Sequence, residues 1–352
     1  MKPTQQQLDR THEPWPEEGL EEVDKCPVCG SEEREVLYEG LRDRVFFCAP
    51  GEWTLHRCDG CGSAYLDPRP TPETIHLAYE SYFTHEAALE FSSLSISEKF
   101  RRILANGYRN WRYGTQDKPA SRLGILAAWM MPSARATIDA GMRHLSKPRP
   151  GQRLLDVGCG NGGFLLRARS AGWDVVGLDF DPKAVDTARK RGLDVYLGGI
   201  EIFEGKQNQF DVITLSHVIE HVHDPNCVLR NCFRLIKPGG YLWIETPILS
   251  AEGHKLYGQN WRGLEPPRHI VIFTSDSLRY ALYNAGFKKI DAMPYRPMCK
   301  QMFAASEAIA ERRNPSHAVK LSKYGRYHAR LAETRARIEI SSREFITFIA
   351  WK

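Results

Sequence analysis

From Arg153 onward, short apolar runs alternate with longer stretches in which apolar residues recur every three or four positions. Residues Arg153–Val157, Trp173–Asp179, Asp194–Leu197, Asp211–Ser216, Tyr241–Thr246, Lys288–Met293 and Glu344–Trp351 predict strands. Between them Phe164–Ala171 predicts a helix closed by Gly172, since glycine takes the left-handed turn after a last helical turn. Asp181-Pro182 and Asp224-Pro225 each put a capping carboxylate ahead of an N1 proline and open two more helices, to Gly192 and to Lys237-Pro-Gly-Gly240. Thr274–Ala285, closed by Gly286, predicts a fourth. Strands alternating with helices predict an α/β fold with a doubly wound parallel sheet. Helical residues over 300–340 stand as an insertion before the last strand.

Upstream the pattern differs. Residues 1–24 are polar and read as a loose tail. Residues 25–70 hold two Cys-x-x-Cys pairs around strand-like EVLYEG and EWTLHRC. Residues 71–150 read as a helical linker or cap, starting at Pro72-Glu-Thr, with apolar residues recurring through Tyr82 and breaks at Gly114–Pro119 and Pro132. Lys147-Pro-Arg-Pro-Gly151 is a turn that separates it from an α/β domain over 151–352.

The 352-residue chain is 42% hydrophobic and 26% charged, which fits a globular protein rather than a disordered one. Leu123–Met131 is an apolar stretch far short of the ~20 residues that span a bilayer. The polar N-terminus has no apolar signal region, and a cytoplasmic protein is expected. Charge is uneven. Residues 1–80 carry net −9, a poor clamp for nucleic acid. Residues 81–150 and 300–352 carry +6 each, suited to an anionic substrate or to solvated helix faces. Oligomeric state is not legible here.

The candidate chemistry lies in three places. The first is Leu154–Gly163 (LLDVGCGNGG), which gives Gly158-x-Gly160-x-x-Gly163 between a strand and a helix. Glycines admit close backbone approach, and the helix start offers N–H groups. Asp179 ends the next strand, where a carboxylate accepts both hydroxyls of an adenosine ribose. Asp156 precedes the loop, and carboxylates suit S-adenosylmethionine (SAM), which carries an ammonium and a sulfonium and lacks phosphate. These segments, with Phe210–His221 (FDVITLSHVIEH) and Leu235-Ile-Lys-Pro-Gly-Gly240, resemble the successive motifs of class I SAM-dependent methyltransferases over about residues 150–295. The resemblance implies a Rossmann-like seven-stranded sheet with an antiparallel last strand. It implies that Asp156 and Gly158, Gly160 and Gly163 hold the methionine end of SAM, that Asp179 binds ribose, and that Ser216 and His217 line the sulfonium side. One departure is Gly199, which stands where many members carry an acid for the adenine amino group. His217-Val-Ile-Glu220-His221 also reads as the His-x-x-Glu-His of an inverted zinc protease, but it spans barely two turns between a strand and a new helix.

The second place is Cys26, Cys29, Cys58 and Cys61, spaced C-x2-C-x28-C-x2-C with glycine after each pair, a tetrahedral four-thiolate set for structural zinc. The other five cysteines read as buried small residues, and no disulfide framework is expected. The N-terminal stretch through Tyr65-Leu-Asp-Pro-Arg-Pro and Tyr79–Tyr82 resembles a zinc-ribbon-bearing methyltransferase subgroup that often acts on sugars, glycan precursors or related small metabolites.

The third is Trp261–His269 (WRGLEPPRH), a loop beyond the fifth strand, where acceptors bind in doubly wound folds. His269 is the first candidate for a base that takes a hydroxyl proton, and His217 the second. Trp261 reads as a sugar platform or as core. Arg312, Arg313 and Lys320 read as a phosphate site or as a solvated face. The expected function is methyl transfer from SAM to a small-molecule hydroxyl, sugar-like by resemblance. RNA methylation and a non-catalytic SAM-binding scaffold are the alternatives.

Overall fold

The structure, a computed structural model, describes residues 9–79, 95–315 and 320–352. The N-terminal part contains β1 (Leu20–Glu21), β2 (Arg34–Leu41), β3 (Trp53–Cys58), β4 (Ala64–Leu66) and β5 (Arg69–Pro70). Helices α1 (Ile96–Tyr113), α2 (Leu123–Met130) and α3 (Pro132–Gly141) follow. The α/β part runs β6 (Arg153–Val157), α4 (Gly163–Ser170), β7 (Asp174–Asp179), α5 (Pro182–Lys190), β8 (Asp194–Leu197), β9 (Phe210–Ser216), α6 (Pro225–Leu235) and β10 (Ile236–Pro247). It continues through α7 (Glu252–Tyr257), β11 (Val271–Ile272), α8 (Ser275–Asn284), β12 (Lys289–Ala292), α9 (Cys299–Ala310), α10 (Lys323–Ile338) and β13 (Phe345–Trp351).

Seven strands form one sheet in the order β12-β13-β10-β9-β6-β7-β8. β13 runs antiparallel to both neighbours, while β10, β9, β6, β7 and β8 are parallel. The apolar runs are continuous because the sheet is buried on both faces. Leu155, Ile213, Leu242, Ile244 and Phe348 enter one core, and their alternating neighbours Leu154, Val212, Trp243 and Ile349 enter the other. The capping signals act as read: the Asp181 carboxylate accepts from the Lys183 N–H (2.9 Å) and that of Asp224 from the Cys227 N–H (2.8 Å).

The N-terminal region is less separate than its sequence suggests. β2, β3 and β4 form an antiparallel sheet whose fourth strand is β11, contributed from residues 271–272. Residues 9–24 are also not a loose tail. Trp15 is buried edge-on against Trp53, with ring centroids 5.2 Å apart, and β1 pairs with β5. Pro72-Glu-Thr does not start an α-helix; a short 3-10 turn, Ile75–Tyr79, stands there instead. Tyr82 and residues 1–8 lie outside the described residues. The 300–340 segment holds α9 and α10 as expected.

Candidate functional site: a cofactor cradle, a histidine cluster and a four-cysteine knuckle

The glycine loop leaves β6 and turns tightly into α4. Its N–H groups are engaged within the fold. Gly158 and Cys159 donate to the Leu178 carbonyl (2.8 and 2.9 Å), Gly160 to Asp179 Oδ2 (2.7 Å), Gly162 to the Cys159 carbonyl (3.1 Å) and Gly163 to Asn161 Oδ1 (3.1 Å). A pyrophosphate cradle keeps such groups free for the ligand; this loop instead suits a cofactor without phosphate. Gly158 is at φ +71°, and an added Cβ would lie 2.5 Å from Val218, so the segment after β9 presses directly on the loop.

Asp179 is placed as read, at the tip of β7, with Oδ1 accepting from the Asp181 N–H (2.9 Å). Two groups stand near it. The Phe180 ring is exposed, and Glu201 folds back so that its Oε1 accepts from the Gly199 N–H (2.8 Å). A Cβ on Gly199 would collide with both the Phe180 ring and the Glu201 carboxylate. A carboxylate thus lies against Gly199 after all, supplied from two residues later. Strand-end counting could not find it, because the carboxylate reaches back across a turn.

Asp156 corrects an expectation. It is fully buried, ion-paired with Arg143 and accepting from Thr214 Oγ1 (2.9 Å), so it does not face a ligand. Burial raises its pKa against the pull of Arg143. Arg143 was not singled out from the sequence. Its guanidinium lies 3.8 Å from the Phe164 ring centroid, and it ties β6 to β9 beneath the cradle. Ser216 is the half-buried last residue of β9, in register with Glu245.

Past Ser216 the chain turns through His217, at φ +54°. Its Nδ1 lies 3.4 Å from Glu220 and its Nε2 3.5 Å from Glu245. Burial would lower its pKa, but the two carboxylates reverse this and raise it to about 9. Glu220 and Glu245 are held at about 2 against the opposing effect of burial, mainly by His217, with Arg296 also acting on Glu245. A histidine protonated at neutral pH is not a ready base, so the second candidate is corrected. The first fares no better: His269 is buried, its Nδ1 meets the Gly263 carbonyl (2.8 Å), and burial pulls its pKa down to about 4.

Between them in sequence lies His221, half-buried like His217. Its Nδ1 is 2.9 Å from the Arg268 carbonyl, so that nitrogen carries the proton and Nε2 the lone pair. The Tyr79 hydroxyl lies 3.0 Å from the same Nδ1, and the His269 ring packs edge-on with centroids 4.7 Å apart. Glu220, His221 and His269 offer ligand atoms within 4.8 Å of one another.

Trp261 is core rather than a platform: it is buried and its Nε1–H donates to Glu344 Oε2 (2.8 Å). Glu344 Oε1 accepts from the Gly253 N–H (2.7 Å), and only glycine fits there, since an added Cβ would lie 2.6 Å from the carboxylate. Burial raises the Glu344 pKa from 4.5 to about 7. The folded state thus holds this proton more tightly than the unfolded chain. Stability contributed here is present below about pH 4.5 and lost as pH rises to about 7, by up to about 3 kcal/mol. Chemical denaturation of Glu344→Gln is expected to lack that slope, whatever constant offset the amide introduces. Arg313 pairs with Glu311 just past the end of α9, in keeping with the solvated reading.

Cys26, Cys29, Cys58 and Cys61 meet as one cluster. Two like knuckles build it. The Cys26 N–H donates to the Ser31 carbonyl and the Gly30 N–H to that of Cys26; Cys58, Ser63 and Gly62 repeat the arrangement. Sulfur separations of 3.7 Å (Cys26–Cys61) and 3.5 Å (Cys29–Cys58) match the roughly 3.8 Å edge of a tetrahedral zinc–thiolate site.

Residues 132–292 match the family model described as a methyltransferase domain. Among curated relatives, a ubiquinone biosynthesis O-methyltransferase of Bordetella avium is 38% identical over 116 residues, 30% of this chain and 46% of the relative. The enzyme of the same name from Thiobacillus denitrificans is 37% identical over 117 residues, 31% and 50% of the two chains. This chain thus spans about half the length of the curated relatives it matches. A SAM-dependent methyltransferase structure from Archaeoglobus fulgidus covers 65% of this chain and 99% of its own at 20% identity and TM-score 0.44. Residues 132–292 thus carry a methyltransferase domain, preceded by a four-cysteine knuckle.

Proposed function

We propose that the protein transfers the methyl group of SAM to a hydroxyl of a small-molecule acceptor, with His221 as the base. The observation that carries this reading is His221 itself, a half-buried imidazole whose Nδ1 proton is fixed on the Arg268 carbonyl, which leaves the lone pair on Nε2. When bound, SAM supplies an activated methyl group. In the cradle, Asp179 takes the ribose hydroxyls, Glu201 and Phe180 take adenine, and Gly158, Gly160 and Gly163 shape the methionine end. Ser216 and His217 line the sulfonium side. His217 is better suited to screening Glu220 and Glu245 than to taking a proton. Displacement at the methyl carbon is in line, so holding the hydroxyl opposite the sulfonium supplies much of the rate. The relatives' printed O-methyltransferase names support a hydroxyl acceptor. A sugar or glycan-precursor hydroxyl is the narrower form of the reading, without the platform expected of Trp261.

The four-cysteine cluster is proposed to hold zinc. Four thiolates close the coordination shell, so the metal would stabilise the fold and leave methyl transfer to other residues.

The test uses methyl-labelled SAM with extract divided into polar metabolites, lipid-linked glycans, RNA and protein. Label is expected in metabolites or glycans; label in RNA alone would refute the reading. On the labelled fraction, His221→Ala is expected to lower turnover by about 10²–10⁴-fold with SAM affinity unchanged. Unchanged turnover would remove His221 from the chemistry.

A further inference from the structure

The helices ahead of the methyltransferase domain carry an apolar surface that the function above does not use. α1 and α2 run antiparallel in close contact. A Cβ on Gly124 would lie 1.9 Å from the Leu104 carbonyl oxygen, and one on Gly107 1.7 Å from that of Ser121. This register sets Phe100 beside the end of α2. Ile96, Phe100, Leu126, Trp129, Met130 and Met131 are all exposed there, Met130 at 74%. α2 has eight residues, LGILAAWM, without a polar side chain. At about 12 Å it cannot cross a bilayer.

The charge around the patch says which interface. Residues 95–149 hold eleven basic and three acidic side chains. The three acids are engaged locally: Glu98 caps Ser95, Asp117 pairs with Arg109, and Asp139 accepts from Tyr108 and Tyr113. Arg101 and Arg122 are exposed near the patch, and the Arg135 guanidinium sits 4.9 Å from the Trp129 ring centroid. Two copies of this face would bring like-charged rims together. An anionic lipid surface would meet the cations while its acyl boundary takes the tryptophan and methionines.

We infer that the α1–α2 end is a peripheral membrane-docking surface selective for anionic lipid. It is independent of which acceptor is methylated.

The test is co-sedimentation of the full zinc-loaded chain with phosphatidylcholine vesicles, with and without phosphatidylglycerol. Sedimentation is expected only with the anionic vesicles, falling as salt rises. Trp129→Glu/Met130→Glu should abolish it. Arg101→Glu/Arg122→Glu should weaken it by on the order of tenfold or more. Both variants should keep the wild-type melting temperature and SAM affinity, since their side chains are exposed. No sedimentation, equal sedimentation with both vesicle types, or variants that bind like wild type would overturn the inference. So would a dimer in light scattering that Trp129→Glu/Met130→Glu dissociates, which would assign the patch to a second copy.

Discussion

Replacing Cys58 by serine is expected to abolish methyl transfer while SAM still binds. Zinc binding to small Cys-rich modules is worth on the order of 10 kcal/mol of folding free energy, because their cores are too small to hold alone. The ribbon here also packs against the proposed acceptor side. β11 from the methyltransferase domain pairs with β4. Asn226 Nδ2 donates to the carbonyls of Pro27 and Val28 inside the knuckle (both 3.0 Å), and the Arg69 guanidinium donates to the His223 carbonyl (3.0 Å). Tyr79, downstream of the ribbon, meets His221. Loss of the metal therefore loosens the surroundings of His221, whereas Asp179 and the glycine loop rest on β6 and β7. Zinc content, calorimetric SAM titration and turnover check this together. A zinc-free variant with full activity would separate the ribbon from the reaction.

Arg268→Leu is expected to destabilise the fold by about 3–5 kcal/mol, because it strands buried carboxylates. Arg268 is fully buried and donates to Asp43 Oδ1 (2.6 Å), Glu265 Oε1 (3.1 Å) and the Ala78 carbonyl (2.9 Å), with Cys48 Sγ at 3.6 Å. Asp43 in turn accepts from the N–H groups of Val45, Phe46, Cys48 and Ala49. Burial would raise the Asp43 pKa, but Arg268 and these N–H groups hold it below the usual range. This pair joins the ribbon to the loop that carries His269. Urea denaturation should show the loss, and Arg268→Leu/Asp43→Asn should lose less than the sum of the two single changes. Additive losses would mean the pair does not act as a unit.

The sheet was legible because periodicity and capping are local. Apolar runs, Asp-Pro caps and closing glycines each predict an element without reference to the rest, and they act as read except at Lys237-Pro-Gly-Gly240, which β10 takes in. The four-cysteine set was legible for a related reason, since each knuckle is a six-residue unit with its own turn. The base was not. His217, His221 and His269 all sit at strand ends or in the acceptor loop, and sequence position does not distinguish them. What separates them is burial and partners: two carboxylates across from His217, enclosure for His269, one backbone carbonyl for His221. Asp156 misled for a similar reason. Its position before the glycine loop is right for a ligand contact, but Arg143, which engages it, follows helices that carry no motif. Glu201 was missed because its carboxylate returns to Gly199 through a turn.

The most direct test is calorimetric titration of the purified chain with SAM, beside Asp179→Ala and with NAD as the competing cofactor. One SAM site per chain is expected, with no binding of NAD. Asp179→Ala should weaken SAM by about 1.5–3 kcal/mol, the loss of hydrogen bonds to a charged group. Binding of NAD in place of SAM, or SAM affinity indifferent to Asp179, would contradict the account.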